Sequence, residues 1–415
     1  MKTRGAMVRT PVERIGKAVF PVGALNRIGY LQAEKPSKSS LCLRLAGRHF
    51  SRFFRLALFP LLCIPTFGYS ATWVVDGAGG GDFLTIQPAV DAAGPGDSVL
   101  VRAGLYRGRV TILPEKDGLH LIGDGAPGSV IVTADTVAIR VYLTDPAVRI
   151  ENLTLTGAGV MGALYTQEAK VEVVNCIFRD NHCPFQAQGG AIDAVLHSDL
   201  LLEDCIIESN TGEAPGGVII WQSRGDIRRN VFRGNRATWG GGLEMYHCDT
   251  EPVSYIEDNL FVDNGVTDWG GGLFIVNSHP VVRRNTFYKN NQPGNAAIWV
   301  LGGTPTISQN LIVGSDWGVY CQTHPQYLPS QPVMGCNLFW DLMQGQCYAC
   351  PNLGTVIEAN PLFCDEATQN FSLCDNSPAL SSPCGRLGAF DAGCPPCQGE
   401  PVKPTTWGAI KSLFR

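Results

Sequence analysis

From residue 98 to about residue 340, apolar and polar positions alternate in runs of only three to five residues. Residues 98–101, 109–112, 119–122, 130–132 and 148–150 all read this way. Alternation with period two predicts strands that bury one face. Clusters of Gly, Pro and Asp separate the runs and predict turns. One early segment has helical spacing instead: Ile86, Ala89, Val90 and Ala93, with Thr85 as the expected N-cap.

The strand pattern is itself periodic. Between Asn152 and Asn337 a degenerate unit recurs every 24 to 29 residues. One half reads Asn/Cys-x-Phe/Ile-x-x-Asn, at 176–181, 205–210, 230–235, 259–264 and 285–290, with weaker copies at Asn152, Asn310 and Asn337. The other half is a glycine pair or triplet followed by alternating apolar residues: Gly189–Gly190, Gly216–Gly217, Gly240–Gly242 and Gly270–Gly272. A unit of this length, made of strands and turns, predicts a solenoid in which one repeat is one coil. Equivalent strands then stack about 4.8 Å apart. Phe178, Phe232, Phe261 and Phe287 form the expected inward aromatic column. Cys176, Cys205, Asn230, Asn259, Asn285, Asn310 and Asn337 form an expected ladder at a bend, where side-chain amides bond the next coil. Cys176 and Cys205 stand close enough for a disulfide or for two buried thiols.

Composition changes the picture at the two ends. Residues 2–55 hold twelve Lys/Arg and two acids, and an apolar run from Leu56 to Phe67 follows. That order predicts a basic extension plus signal peptide over 1–71, cut after Ser70 or Ala71, and hence a secreted or cell-surface protein. The twelve-residue run, broken by Pro60 and Pro65, is short for a membrane span of about 20 residues. The whole chain carries −5; without this segment, 20 Lys/Arg and 35 Asp/Glu remain, a charge of −15. Such a field repels nucleic acid and anionic membranes. It also disfavours polyanionic sugars unless calcium bridges the charges.

Thirteen of the fifteen cysteines lie beyond residue 71, nine of them between Cys321 and Cys397. In an exported chain that density predicts disulfides rather than zinc. The candidates are Cys347, Cys350, Cys364, Cys374, Cys384, Cys394 and Cys397, with Cys364–Cys374 and Cys384–Cys394 as plausible local pairs. The expected organisation is a solenoid over 72–345, a disulfide-rich C-terminal cap over 346–397, and a linker with a short tail over 398–415. Trp407, Ile410, Leu413 and Phe414 share one helical face of that tail, which suits an extra cap or a sorting tag.

The stretch from Gly81 and Asp82 through Thr85, Ile86 and Gln87, followed by Asp97, Gly104 and Tyr106, resembles the opening of pectin-lyase-like right-handed parallel β-helix proteins. The Phe-x-x-Asn and Gly-Gly-Ala-Ile tetrapeptides are similar to repeats of polymorphic outer-membrane proteins. The resemblance covers about residues 73–394. It implies an all-β, single-stranded right-handed parallel β-helix of nine or ten coils with an N-terminal helical cap. It implies little about activity, because that architecture serves lyases, hydrolases, epimerases, spikes and adhesins. The galacturonase-like set (Asn-x-Asp, Asp-Asp, Gly-His-Gly, Arg-x-Lys) and the pectate-lyase-like Trp-x-Asp-His are all missing from the sequence.

Aligning the strands on their glycines puts Ala191, Val218, Leu243, Leu273 and Ala297 inward, with Asp193 on the same side. Ile192, Ile219, Glu244, Phe274 and Ile298 then face outward, as do Ala194, Trp221, Tyr246, Val276 and Val300. An outward strip this apolar suits a sugar-binding groove, with Trp221, Tyr246, Phe274, Trp239 and Trp269 as stacking surfaces, or a face covered by a loop or the tail. Trp239 and Trp269 could equally pack a corner. If there is a catalytic acid, Glu244 is the first candidate, with His247 or Asp249 assisting. The other reading of these residues is a solvated carboxylate beside a turn. No metal or cofactor is expected, with calcium left open. The leading function is an exported binding or surface-structural protein that contacts carbohydrate. The alternative is a polysaccharide lyase or glycoside hydrolase built around Glu244.

Overall fold

The computed structural model describes residues 70–184, 189–248, 252–290 and 295–398. The expected leader before Ser70, the tail after 398 and Asp249 lie outside these residues. The described chain winds through three long parallel sheets, of 11 strands (sheet A), 11 strands (sheet B) and 10 strands (sheet C). Sheet A runs from Thr72–Val75 to Val333–Gly335, sheet B from Gly104–Arg107 to Val356–Glu358, and sheet C from Val110–Ile112 to Gly345–Tyr348. Each coil contributes one strand to each, so neighbours in a sheet are a full repeat apart in sequence. The helix Ile86–Ala92 buries Ile86, Ala89 and Val90, although the Thr85 hydroxyl makes no capping bond.

The inward positions of all three sheets fill one core. Phe232, Phe261 and Phe287 are fully buried and stack with centroids 4.6 and 4.7 Å apart, planes within 8° and 5°. The parallel register sets that spacing, since each Phe pairs with its equivalent in the next coil. Phe178 lies in the same column but is separated from Phe232 by Ile207.

Two bends carry side-chain ladders. At the bend from sheet A to sheet B, the Asn230 side-chain oxygen accepts from the Cys205 backbone N–H at 2.9 Å. Asn259, Asn285, Asn310 and Asn337 repeat the bond to the preceding coil at 2.9 to 3.1 Å. The residue before each rung, such as Arg229 (φ 53°) or Asp258 (φ 55°), is left-handed, which turns the chain and strips a backbone N–H of its strand partner. Cys176 and Cys205 occupy the first rungs as thiols, not a disulfide. The last Asn of each Phe-x-x-Asn builds a second ladder that the sequence reading did not assign. Asn181, Asn210, Asn235, Asn264 and Asn290 link successive coils by amide–amide bonds of 2.9 to 3.0 Å. Its signal was visible as the invariant end of the repeat. Each bond contributes about 1 kcal/mol, but losing a buried rung strands its neighbours' polar groups at greater cost.

The C-terminal region departs from expectation. Residues Leu342, Leu353 and Val356 close on the end of the core, and Val356–Glu358 still pairs with sheet B, beyond the expected limit at 345. The strands Phe363–Asp365, Asn370–Cys374 and Ala392–Cys394 form a small separate sheet. This segment packs sideways, onto the outer face of sheet B, rather than across the end. There Phe363, Phe371, Leu373, Ala379 and Leu387 join Leu260, Val262, Tyr288, Leu311, Val313 and Leu338 in a second buried cluster. Polar ties run along the seam: Tyr288 to Glu366 at 2.6 Å, and Arg386 to Asp258 at 2.6 Å.

The disulfides follow that packing. Cys336–Cys384 fastens the segment to the solenoid, Cys364–Cys394 and Cys374–Cys397 tie it internally, and Cys347–Cys350 closes a short turn. The expected local pairs Cys364–Cys374 and Cys384–Cys394 are not formed. Spatial neighbours here come from strands that return after 20 to 30 residues, so proximity in sequence misleads.

Candidate functional site

Sheet C presents the outward strip singled out in the sequence, but in a different register. Ile192 pairs with Val218, Leu243, Leu273 and Ile298, and all five point into the core. Ala191 and Ala297 occupy the place of the final glycine of the triplets, beside Gly217 and Gly272. Anchoring Gly-Gly-Ala-Ile on its glycines therefore slipped those two strands by one residue. With period two, that slip exchanges the faces. Ile192, Ala194, Ile298 and Val300 belong to the core, not the surface.

The true outward column runs Tyr165, Asp193, Ile219, Glu244, Phe274, Trp299, Tyr320 and Tyr348. The column beside it runs Gln167, Val195, Trp221, Tyr246, Val276, Leu301 and Gln322. Three aromatic residues absent from the expected set, Trp299, Tyr320 and Tyr348, make its longest continuous stack. Trp299 lies 3.9 Å from Tyr320, and Tyr320 lies 4.3 Å from Tyr348, all near-parallel. Trp239 and Trp269 stack at 6.2 Å at the head of the strip, and Trp269 meets Trp299 at 6.1 Å. Both come from a four-stranded side sheet formed by His182–Cys183, Thr211–Gly212, Arg236–Trp239 and Gly265–Trp269. The glycines that follow carry the chain from there into sheet C.

Exposure sorts the expected sugar-stacking residues. Trp221, Tyr246, Trp239 and Trp269 are half-buried, leaving part of each ring open. Phe274 is fully buried beneath Trp269, 6.2 Å away, so it cannot offer a face to a ligand. Tyr348 is 43% exposed and ends the strip. A loop over 323–330 lays Tyr327 against Tyr246, hydroxyl to hydroxyl at 3.4 Å, and against the His247 ring. Burial and the Tyr327 hydroxyl hold the Tyr246 hydroxyl well above its usual range.

Glu244 is outward in register yet only 4% exposed. It folds beneath the turn at Gly240, whose φ is +58° and where a Cβ would stand 3.0 Å from the Glu244 Cβ and 3.2 Å from the Pro215 Cβ. Glycine is thus required both for the turn and for room over the carboxyl. Glu244 Oε2 has no hydrogen-bond partner among the described residues. Burial pushes the carboxyl up to about 8, so at neutral pH it carries a proton. It is neither a solvated surface acid nor an ionised base.

Of its two expected helpers, Asp249 lies outside the described residues. His247 sits at the turn after the strand (φ 53°), with its Nδ1 3.2 Å from Asn277 Nδ2 and its ring against Tyr246. The column neighbours of Glu244 are Ile219 and Phe274. Asp193 shares the column two coils away, facing opposite to the inward placement expected for it. It is buried, and its two oxygens accept from the Gly162 and Gly189 backbone N–H groups. Burial lifts it to about 7. It ties the glycine turns of two coils. Two clusters of three sulfurs lie within metal-binding reach, Cys321/Cys347/Cys350 and Cys364/Cys374/Cys394. Five of these six cysteines are already in disulfides.

Residues 128–278 match the family model of the right-handed beta helix region. Pectinesterase 5 of Arabidopsis thaliana is 42% identical over 65 residues, 15% of this chain and 11% of that protein, so the likeness spans a small part of the relative's length. Among solved structures, an alginate lyase from Paenibacillus aligns at 13% identity over 66% of this chain and 94% of its own, with a TM-score of 0.41. A pectin methylesterase from carrot aligns at 12% identity over 70% and 86%, with a TM-score of 0.36. The coil-by-coil register and the family match agree: residues 128–278 of this chain are a right-handed parallel β-helix region.

Proposed function

We propose that this is an exported, non-catalytic protein that binds carbohydrate on the outer face of sheet C. The observation that carries the reading is the aromatic strip from Trp239 and Trp269 to Tyr348, partly open along a sheet face. Aromatic rings offer the apolar faces of sugars a broad surface, while their hydroxyl and indole groups meet sugar hydroxyls. The −15 charge beyond residue 71 favours neutral glycans over polyanionic ones unless calcium intervenes. A cleaved leader at 1–71 and four disulfides suit an oxidising, extracellular setting. In this reading the helix Ile86–Ala92 shields the N-terminal end of the core.

One observation favours the enzyme reading. Glu244 is neutral at pH 7 and lies under the strip, as a general acid would. Among the described residues its column neighbours, Ile219 and Phe274, are apolar, and Asp193 accepts from backbone N–H groups. Exposing the protein to neutral and acidic polysaccharides, with and without calcium, separates the two. Binding-induced tryptophan fluorescence without unsaturated or reducing-end products is the expected result. Turnover that vanishes in Glu244→Ala would make the protein a lyase or hydrolase.

A further inference from the structure

Three sulfurs meet where the last coils of sheet C close. Cys321 occupies an inward position of the strand Trp317–Gln322. Its Sγ lies 3.1 Å from the Sγ of Cys350, which is bonded to Cys347. All three sulfurs fall within 4.8 Å of one another. Cys176, Cys183, Cys205 and Cys248 are buried, and each bonds to a backbone carbonyl of its own or a neighbouring coil. Among the described residues, Cys321 is the thiol that touches a disulfide.

A thiol against a disulfide is a nucleophile against its electrophile. We propose that Cys321, Cys347 and Cys350 form an internal thiol–disulfide relay in which Cys321 displaces Cys347 from Cys350. Cys321 gives up its proton to water, and its sulfur forms a bond to Cys350 Sγ. The Cys347–Cys350 bond breaks, its electron pair leaves on Cys347, and that sulfur takes a proton. One thiol and one disulfide stand on each side, so the step needs no oxidant or reductant.

The exchange changes what the cross-link does. Cys347–Cys350 spans three residues of one turn, whereas Cys321–Cys350 spans 29 and joins successive coils. A longer closed loop constrains the unfolded chain more strongly. The exchange also moves the free thiol outward, from buried Cys321 to half-buried Cys347. Cys347 adjoins Tyr348, the exposed end of the aromatic strip. Released there, it becomes a modification site for disulfide-bearing molecules, which it attacks by the same chemistry. Burial pushes the Cys321 thiol up to about 12, so the thiolate is scarce at neutral pH and the exchange quickens as pH rises.

The test maps disulfides in the full-length protein after expression with export to an oxidising compartment. Samples held at pH 7 and pH 9 are acid-quenched, alkylated with iodoacetamide, digested without reduction and read by mass spectrometry. The relay predicts Cys321–Cys350 peptides together with alkylated Cys347, appearing at least roughly tenfold faster at pH 9. Alkylation of Cys321 alone, with Cys347–Cys350 the sole pairing at both pH values, overturns it. Cys347→Ser provides a second arm at a half-buried position. With the oxidising compartment's disulfide-bearing oxidant accepting the two electrons, the relay geometry predicts that this variant forms Cys321–Cys350, whereas free thiols at both positions contradict it. Three thiols holding zinc in the purified protein would also overturn the relay.

Discussion

The outer faces of sheets B and C start from the same problem and meet it differently. Both carry more apolar surface than water tolerates. On sheet B, Leu260, Val262, Leu311, Val313 and Leu338 are covered by the chain's own C-terminal segment and become a second core. On sheet C, buried Phe274, Val276, Trp299 and Leu301 are roofed by aromatic rings that stay half-open: Trp239, Trp269, Trp317, Tyr320 and Tyr246. Aliphatic side chains gain nothing from exposure, so the face built from them is closed. Large rings with polar edges can remain at a surface and still contact a ligand. The difference teaches that an apolar strip on a solenoid can be closed by the chain's own segment, as on sheet B, or left half-open, as on sheet C, where Tyr327 covers Tyr246.

Detaching the cover of sheet B is the strongest way to break the contrast. Replacing both Cys336 and Cys384 with Ser removes a link that closes 48 residues. This should lower stability by about 4 kcal/mol on the loop-closure account, measured by denaturant unfolding, and should expose 359–397 to protease first. Phe371→Ala empties a fully packed position between Phe363 and Tyr288. It should cost about 3 kcal/mol and leave glycan binding unchanged.

Glu244 sharpens the contrast from the other face. Its folded carboxyl titrates near 8, above the usual 4.5. The native state therefore keeps a proton that the unfolded chain loses, and stability falls as pH rises from about 4.5 to 8. Glu244→Gln lacks that loss, so its stability relative to the native chain should improve by more than about 1 kcal/mol between pH 5 and pH 8. A constant difference in thermal melts across that range would show that the carboxyl is not held neutral. The smallest stability effect is expected for Trp269→Ala, about 1–2 kcal/mol for a half-buried ring, yet it should weaken glycan binding at least tenfold.

Much of this was legible in the residues. The repeat spacing gives the coils, and the Asn and Phe columns fall where the parallel register puts them. Legibility failed where two positions are chemically interchangeable. Ala191 and Ala297 fill a glycine place because a small side chain still fits the close approach of neighbouring backbones, and counting from the glycines then misplaces a strand by one residue. Trp299 was lost from the expected strip for that reason, whereas Tyr320 lies on a strand beyond the last glycine-aligned repeat. The sideways packing of 359–397 was illegible on other grounds. A capping segment and a covering segment share the same composition, and only long-range geometry separates them. Glu244 was found from its parity, but its burial depends on how the turn at Gly240 lies over it, which parity does not show.

The central claim is that the open aromatic face of sheet C binds sugar without cleaving it. Isothermal titration of neutral oligosaccharides into the native protein and into the Trp239→Ala, Trp269→Ala double variant tests it most directly. Saturable binding that is lost in the double variant, with the oligosaccharide recovered intact, is the predicted result. No heat from any neutral glycan, or recovery of cleaved sugar, would contradict it.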